Sequence, residues 1–198
     1  MNIGIIGAGN IGQAIATQML RGGHTVHLAN SKGPESLREL TDALGLGADA
    51  VTVEKAAEQE VVFVAVPWES IADAVEGLPD WDGRIVVDPN NAMLRPDFRP
   101  ADLGGRASSV VFASLFKGAK VVKTANILTA AILAEDPVLP EGRRVLFISG
   151  DDAEAKETVS GLFARAGFRM IDVGDLETGS RLHQFPGGPI ATSLIAPD

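Results

Sequence analysis

Apolar residues fall into short runs rich in β-branched side chains, separated by helix-compatible stretches. The runs are NIGII (2–6), TVHLA (25–29), VVFVAV (61–66), RIVVD (84–88), AKVVKT (119–124), RVLFIS (144–149) and FRMIDV (168–173). Between them lie 11–22, 35–44, 69–77, 107–117 and 152–167. Parallel strands carry apolar residues on both faces and need crossover helices, so this alternation predicts an α/β fold: a doubly wound, mostly parallel sheet. A weaker run at 50–53 adds an edge strand. The helix at 152–167 has its own boundary signals: Asp151 or Asp152 to cap it, Glu154 in its first turn, and Gly167 to end it. The stretch 89–105 and the tail from 178, TGSRLHQFPGGPIATSLIAPD, read as loop-rich. No repeat or composition shift marks a second domain. The expectation is one domain over 1–177 with a short tail over 178–198 that could fold as a lid.

The turn after the first run carries candidate chemistry. Gly7-Ala8-Gly9-Asn10-Ile11-Gly12 is a G-x-G-x-x-G placed directly after a strand and opening a helix. The first glycine permits the tight turn, the second lets a pyrophosphate approach the backbone, and the third lets helix and strand pack closely. The free amides and positive dipole end of the following helix then form an anion site. At the end of the second run, where NAD-binding chains commonly place an acid for the ribose hydroxyl, this chain has Asn30, Ser31 and Lys32. No carboxylate stands there to repel a 2′-phosphate. An amide and a hydroxyl can donate to it, and an ammonium can pair with it, which points to NADP. Gly33-Pro34 closes the loop, and Arg38 stands one turn on to reinforce Lys32. The same residues are ordinary turn formers, so a plain surface turn is the competing reading.

Ligands of such sheets lie outside the carboxyl ends of the strands. The third run ends in Val66, Pro67 and Trp68, and the fourth ends at Asp88 before Asn90 and Asn91; these are candidate ribose and nicotinamide contacts. Trp68 serves equally well as cover for the core edge.

Composition removes several alternatives. The net charge of −9 argues against nucleic acid or an anionic membrane as partner, so any anion site must be local. No apolar run approaches the roughly 20 residues of a membrane span, and the N-terminus enters a strand pattern at once, which reads as a cytoplasmic protein. There is no cysteine and no tyrosine. Thiol nucleophiles, thiolate zinc sites and a Tyr/Lys proton relay are therefore excluded. No His/Asp cluster has ligand spacing, so no metal is expected. The small-molecule partner would act on one chain or on a homodimer.

GIIGAGNIGQAIA, HTVHLANSKGPESL, VPWESI, VVDPNNA, KVVKTANIL, ISGDD and GDLETGSRL, in this order, resemble the NADPH-dependent reductases of the 8-hydroxy-5-deazaflavin coenzyme F-420 and related NADP-binding domains. The resemblance covers nearly the whole chain. It implies a Rossmann domain with a small C-terminal extension and NADP contacts at Ala8, Gly9, Asn10, Ile11, Asn30, Ser31, Lys32, Val66 and Pro67. The segment Lys123–Leu128 and the C-terminal portion would border the second coenzyme.

The implied activity is hydride transfer between NADPH and a deazaflavin or flavin-type coenzyme. Transfer between two planar rings needs positioning more than a dedicated acid. The candidate acids are Lys120, Lys123, His24, His27 and His183. His24 and His27 read as structural. His183 lies in a tail that is either a lid over the nicotinamide or a frayed terminus. A second reading pairs Lys123 with Asn126 to protonate and orient a small carbonyl or imine. A third is a non-catalytic NADPH-sensing module.

Overall fold

The computed structural model describes residues 1–197. In chain order the elements are β1 (Asn2–Ile6), α1 (Asn10–Arg21), β2 (Thr25–Ala29), α2 (Arg38–Leu44), β3 (Ala48–Ala50), α3 (Val53–Ala57), β4 (Val61–Val64), α4 (Ile71–Val75) and β5 (Ile85–Asp88). There follow β6 (Met93–Leu94), β7 (Arg99–Pro100), α5 (Ser108–Ala113), β8 (Lys120–Thr124), α6 (Ala130–Ala134), β9 (Val138–Leu139), β10 (Gly142–Gly150), α7 (Ala153–Ala166), β11 (Arg169–Asp172), α8 (Gly179–His183) and β12 (Ile195–Ala196).

The main sheet runs β11-β10-β8-β5-β4-β1-β2-β3. All neighbours from β3 to β8 are parallel. β10 is antiparallel to β8, and β11 is parallel to β10. This is the doubly wound Rossmann-like α/β fold, with the strand order reversing between β1 and β4. Burial on both faces accounts for the unbroken apolar runs. Ile3, Ile5, Val61 and Phe63 belong to the core on one face, with Met19 of α1 and Phe163 of α7. Ile6, Val62 and Val64 belong to the core on the other face, with Trp81, Phe112 and Phe116.

Several boundaries differ from the sequence expectation, each for a local reason. The edge strand expected at 50–53 lies at Ala48–Ala50. Thr52 instead accepts the Lys55 amide at 3.3 Å and caps α3, a helix the apolar pattern did not signal. The third strand stops at Val64 and not at 66, because the chain turns into Pro67. The helices expected at 35–44 and 69–77 open as 3-10 turns over Pro34–Leu37 and Trp68–Ser70 before α2 and α4. The helix expected at 107–117 ends at Ala113, where the Ser114 hydroxyl returns to the Val111 carbonyl at 2.6 Å. By contrast α7 has the expected ends: Asp152 accepts the Ala155 amide at 2.8 Å, and Gly167 adopts φ +112°.

The loop-rich stretch 89–105 carries the two-stranded ribbon β6–β7. The segment from 178 contains α8, which packs on β10, and β12, which pairs with Arg143 and Arg144 of β10. Among the described residues, no helix is long and apolar enough to cross a membrane.

Candidate functional site

The glycine loop sits at the reversal of strand order, and each glycine has a separate physical reason. Gly7 adopts φ +109° and donates its amide to the Ala29 carbonyl at 2.9 Å, tying the ends of β1 and β2; a Cβ there would lie 2.3 Å from the Ala65 carbonyl oxygen. Gly12 faces the same loop from α1, and a Cβ would lie 1.9 Å from the Gly7 oxygen. Gly9 is different: it is exposed, and a Cβ would meet nothing within 4 Å. No side chain caps α1, so its first amides, around Asn10 and Ile11, remain available to an anion. The Gln13 amide braces the loop by donating to the Ala8 carbonyl at 2.9 Å.

Beside this loop opens a cavity of about 470 Å³, lined by Ala8, Gly9, Gln13, Asn30, Ser31, Lys32, Ser36, Leu37 and Leu40. The two segments singled out in the sequence thus share one recess. Ser31 and Lys32 are exposed. Asn30 has a role the sequence did not suggest. Its amide nitrogen donates to Ser36 Oγ at 3.0 Å, while its Oδ1 accepts the Lys32 backbone amide at 2.8 Å. Arg38 does not reach toward Lys32; its guanidinium pairs with Glu35 at 2.7 Å on the surface.

At the other end of the crevice the Val66-Pro67-Trp68 turn is half-buried, and β6 packs against the turn that begins at Trp68. Asn90 donates its side-chain amide to the Val64 carbonyl at 2.8 Å and so joins the ends of β4 and β5. Below it lies a fully buried ion pair: Lys123 Nζ is 3.2 Å from Asp88 Oδ2, and both side chains have no exposure. Lys123 also donates to the Asn90 carbonyl at 2.6 Å. Asp88 accepts from Ser109 Oγ at 2.7 Å and from the Asn90 amide at 2.9 Å.

Asn126 and His183 meet in an adjoining network. The Asn126 amide nitrogen donates to Asn91 Oδ1 at 2.9 Å and to the His183 carbonyl at 2.7 Å. Its oxygen faces His183 Nδ1 at 2.9 Å, and Ser149 Oγ lies 3.0 Å from His183 Nε2. With the Asn126 amide nitrogen already donating, His183 carries its proton on Nδ1 and accepts from Ser149. Burial, together with the Lys123 charge, lowers the His183 pKa to about 3, so the ring is neutral.

These contacts describe the surroundings of the candidate acids. Lys123, Asn126 and His183 are brought close together, but their functional atoms are bonded inward. His183 is neither frayed nor a surface group. Lys120 and His24 stand at the amino ends of β8 and β2, the far end of the sheet from the glycine loop. Lys120 pairs there with Asp152 at 3.1 Å, and burial lowers the His24 pKa. Sequence reasoning missed Gln13, Ser36, Ser109 and Ser149. The contacts of Ser109 and Ser149 depend on the sheet order, whereas those of Gln13 with Ala8 and of Ser36 with Asn30 are local, and their spacing was the available signal. Among the described residues, no group of three or more His, Cys, Asp or Glu could hold a metal.

A glycine loop at the reversal of strand order, opening on an uncapped helix, defines the class of Rossmann dinucleotide-binding proteins. Within that class, residues 2–92 match the family described as NADP oxidoreductase, coenzyme F420-dependent. That match spans a little less than half of the chain, and it makes residues 2–92 similar to that family of NADP-linked oxidoreductases.

The chain is similar to a hypothetical protein from Sinorhizobium meliloti, with 43% identity, a TM-score of 0.93, and 99% and 96% of the two chains covered. It is also similar to Metalloreductase STEAP3 of Rattus norvegicus, 30% identical over 185 residues, which are 93% of this chain and 36% of that protein. The chain thus spans about a third of the length of the curated relatives it matches. A structure from Arthrobacter sp. FB24, provisionally described as an F420-dependent NADP-reductase, shares the fold at 24% identity and a TM-score of 0.70, covering 89% and 86% of the chains.

Proposed function

We propose that this protein binds NADP(H) and transfers hydride between its nicotinamide and a second planar coenzyme, a deazaflavin or flavin. The glycine loop and the start of α1 would hold the pyrophosphate, Ser31 and Lys32 the 2′-phosphate, and the Val66–Trp68 turn with Asn90 the nicotinamide end. When bound, the dinucleotide supplies the hydride as NADPH or accepts it as NADP+.

The observation that carries the coenzyme-to-coenzyme reading is the inward bonding of Lys123, Asn126 and His183. Reduction of a carbonyl or imine calls for a proton donor within about 2.6–3.2 Å of the reacting atom. Each candidate here already has protein partners, and His183 is neutral. The protein's own part is then to orient two rings and exclude water between them. The family match over residues 2–92 and the description of the Arthrobacter structure as an F420-dependent NADP-reductase support the deazaflavin. The name of the STEAP3 relative supports a reductase activity in general.

The test mixes protein and NADPH with a deazaflavin, with flavins, and with a carbonyl and imine panel, and follows nicotinamide absorbance. Oxidation with deazaflavin or flavin alone is the expected result. Turnover of carbonyls or imines would instead assign Lys123 and Asn126 a catalytic role. Tight NADPH binding without any turnover would identify a sensing module.

A further inference from the structure

The loop after β2 has a closed set of contacts that the 2′-phosphate reading does not by itself require. The Asn30 amide nitrogen donates to Ser36 Oγ at 3.0 Å, and the Ser36 hydroxyl donates to the Gly33 carbonyl at 2.7 Å. Asn30 Oδ1 accepts the Lys32 backbone amide at 2.8 Å. Gly33 adopts φ +84° with nothing within 4 Å of a would-be Cβ, so glycine is there for its backbone conformation and not for space. Pro34 follows and fixes the next φ. The loop is therefore held on both sides of Ser31 and Lys32, while those two side chains remain exposed beside the cavity.

We propose that Asn30 and Ser36 are specificity-determining positioning residues: they latch the loop into the shape that presents Ser31 and Lys32 to the 2′-phosphate of NADP(H), and take no part in holding the phosphate themselves. The inference rests on the NADP reading above and adds a residue, Ser36, and a new role for Asn30. Its physical basis is preorganisation. A flexible loop must be ordered when the phosphate arrives, and that ordering weakens binding, whereas a latched loop has been ordered by folding. NADH has no 2′-phosphate, so it gains little from the latch. Asn at position 30 also meets both demands at once. An Asp could still accept from the Lys32 amide and from the Ser36 hydroxyl, but it would set a negative charge beside the phosphate.

The experiment measures NADPH and NADH dissociation constants by calorimetry for the parent, Ser36→Ala, Asn30→Ala, Asn30→Asp and Lys32→Ala, with thermal midpoints of the free proteins. Loss of the two neutral hydrogen bonds of Ser36 predicts that Ser36→Ala weakens NADPH about ten- to thirtyfold. Asn30→Ala, which loses the contacts to Ser36 and to the Lys32 amide, should weaken it by a similar factor. NADH should move less than threefold in either, with thermal midpoints near the parent's. Asn30→Asp should keep NADH binding and lose NADPH about a hundredfold. A uniform loss of both nucleotides in Ser36→Ala and Asn30→Ala would overturn the inference, because a merely structural role moves them together. If Lys32→Ala weakens NADPH and the two latch variants do not, the latch is wrong and the phosphate reading stands. If Lys32→Ala leaves NADPH unchanged, the phosphate reading falls and takes the latch with it.

Discussion

Gly9 and Gly12 lie three residues apart in one motif, yet the structure predicts opposite consequences for the same substitution. In Gly12→Ala the new methyl would sit 1.9 Å from the Gly7 carbonyl oxygen. An ordinary carbon–oxygen contact is about 3.3 Å, so α1 or the loop must retreat by about 1.4 Å. The obstacle is backbone and cannot rotate aside. Overpacking of this kind costs about 1–3 kcal/mol or more. For a chain of this size about 3 kcal/mol lowers the thermal midpoint by about 6–12 °C. Gly9→Ala should fold nearly as the parent does. Its φ of −74° and ψ of −177° suit alanine, and nothing lies within 4 Å of the added carbon. Reduced freedom of the unfolded chain offsets the poorer N-cap, so stability should stay within about 1 kcal/mol. Its methyl would, however, fill the open side of the loop, where the pyrophosphate must approach. An NADPH affinity loss of at least about tenfold, or about 1.4 kcal/mol, is expected. Thermal denaturation and NADPH calorimetry on both variants make the test. Parent-like NADPH binding by Gly9→Ala would refute the placement of the pyrophosphate, and parent-like stability of Gly12→Ala would refute the packing argument.

Two further outcomes follow from the buried polar groups. Lys123→Ala leaves Asp88 without its cation at zero exposure, and should lose about 3–5 kcal/mol in urea unfolding. The double change Lys123→Met with Asp88→Asn should recover most of that loss, and equal destabilisation of single and double variants would show that the pair does not set the cost. His183 gives a pH signature, because its pKa is lowered from 6.5 to about 3 in the folded chain. The unfolded ring takes up a proton below about pH 6.5 and the folded ring does not, so stability is full above that pH and falls as pH drops toward about 3. Between pH 7 and pH 5 this group alone should remove about 2 kcal/mol. His183→Gln should lose that part of the slope, and an unchanged slope would mean that the ring is not buried neutral.

What the sequence made legible was what local pattern encodes. β1, β2 and β5 could be read as apolar runs, and Gly7, Gly9 and Gly12 as a motif, because each depends on residues near in the chain. The short helices α3, α6 and α8 were not legible. Each has five residues, too few for a 3.6-residue period to emerge, and each is stable only through packing. The engagement of the candidate acids was not legible for a related reason. Lys123 and Asp88 are 35 residues apart and meet only because β5 and β8 are neighbours in register. Asn126 and His183 are 57 apart and meet because α8 returns onto β10. A residue type suggests what a group can do, but only the sheet order tells whether its lone pairs and protons are already taken.

That difference between free and engaged groups divides the crevice. At the proposed adenosine end, Ser31 and Lys32 are exposed, Gly9 is open, and the start of α1 is uncapped. These are groups awaiting an anion. At the proposed nicotinamide end, Lys123, Asn126 and His183 are held by partners within the chain. To use one of them as an acid, the protein would have to pull it out of a buried network and leave its partners unsatisfied, at about 1–3 kcal/mol for each orphaned group. Hydride addition to an isolated carbonyl builds charge on one oxygen and so demands such a donor. A conjugated coenzyme spreads the charge over its own ring, and a rigid surface that aligns it with the nicotinamide is sufficient. In the proposed transfer the buried Asp88–Lys123 pair would serve that purpose. It fixes the Asn90 backbone from below while the Asn90 side chain ties the turn to Val64, so the floor of the crevice is stiff where two rings would have to be aligned.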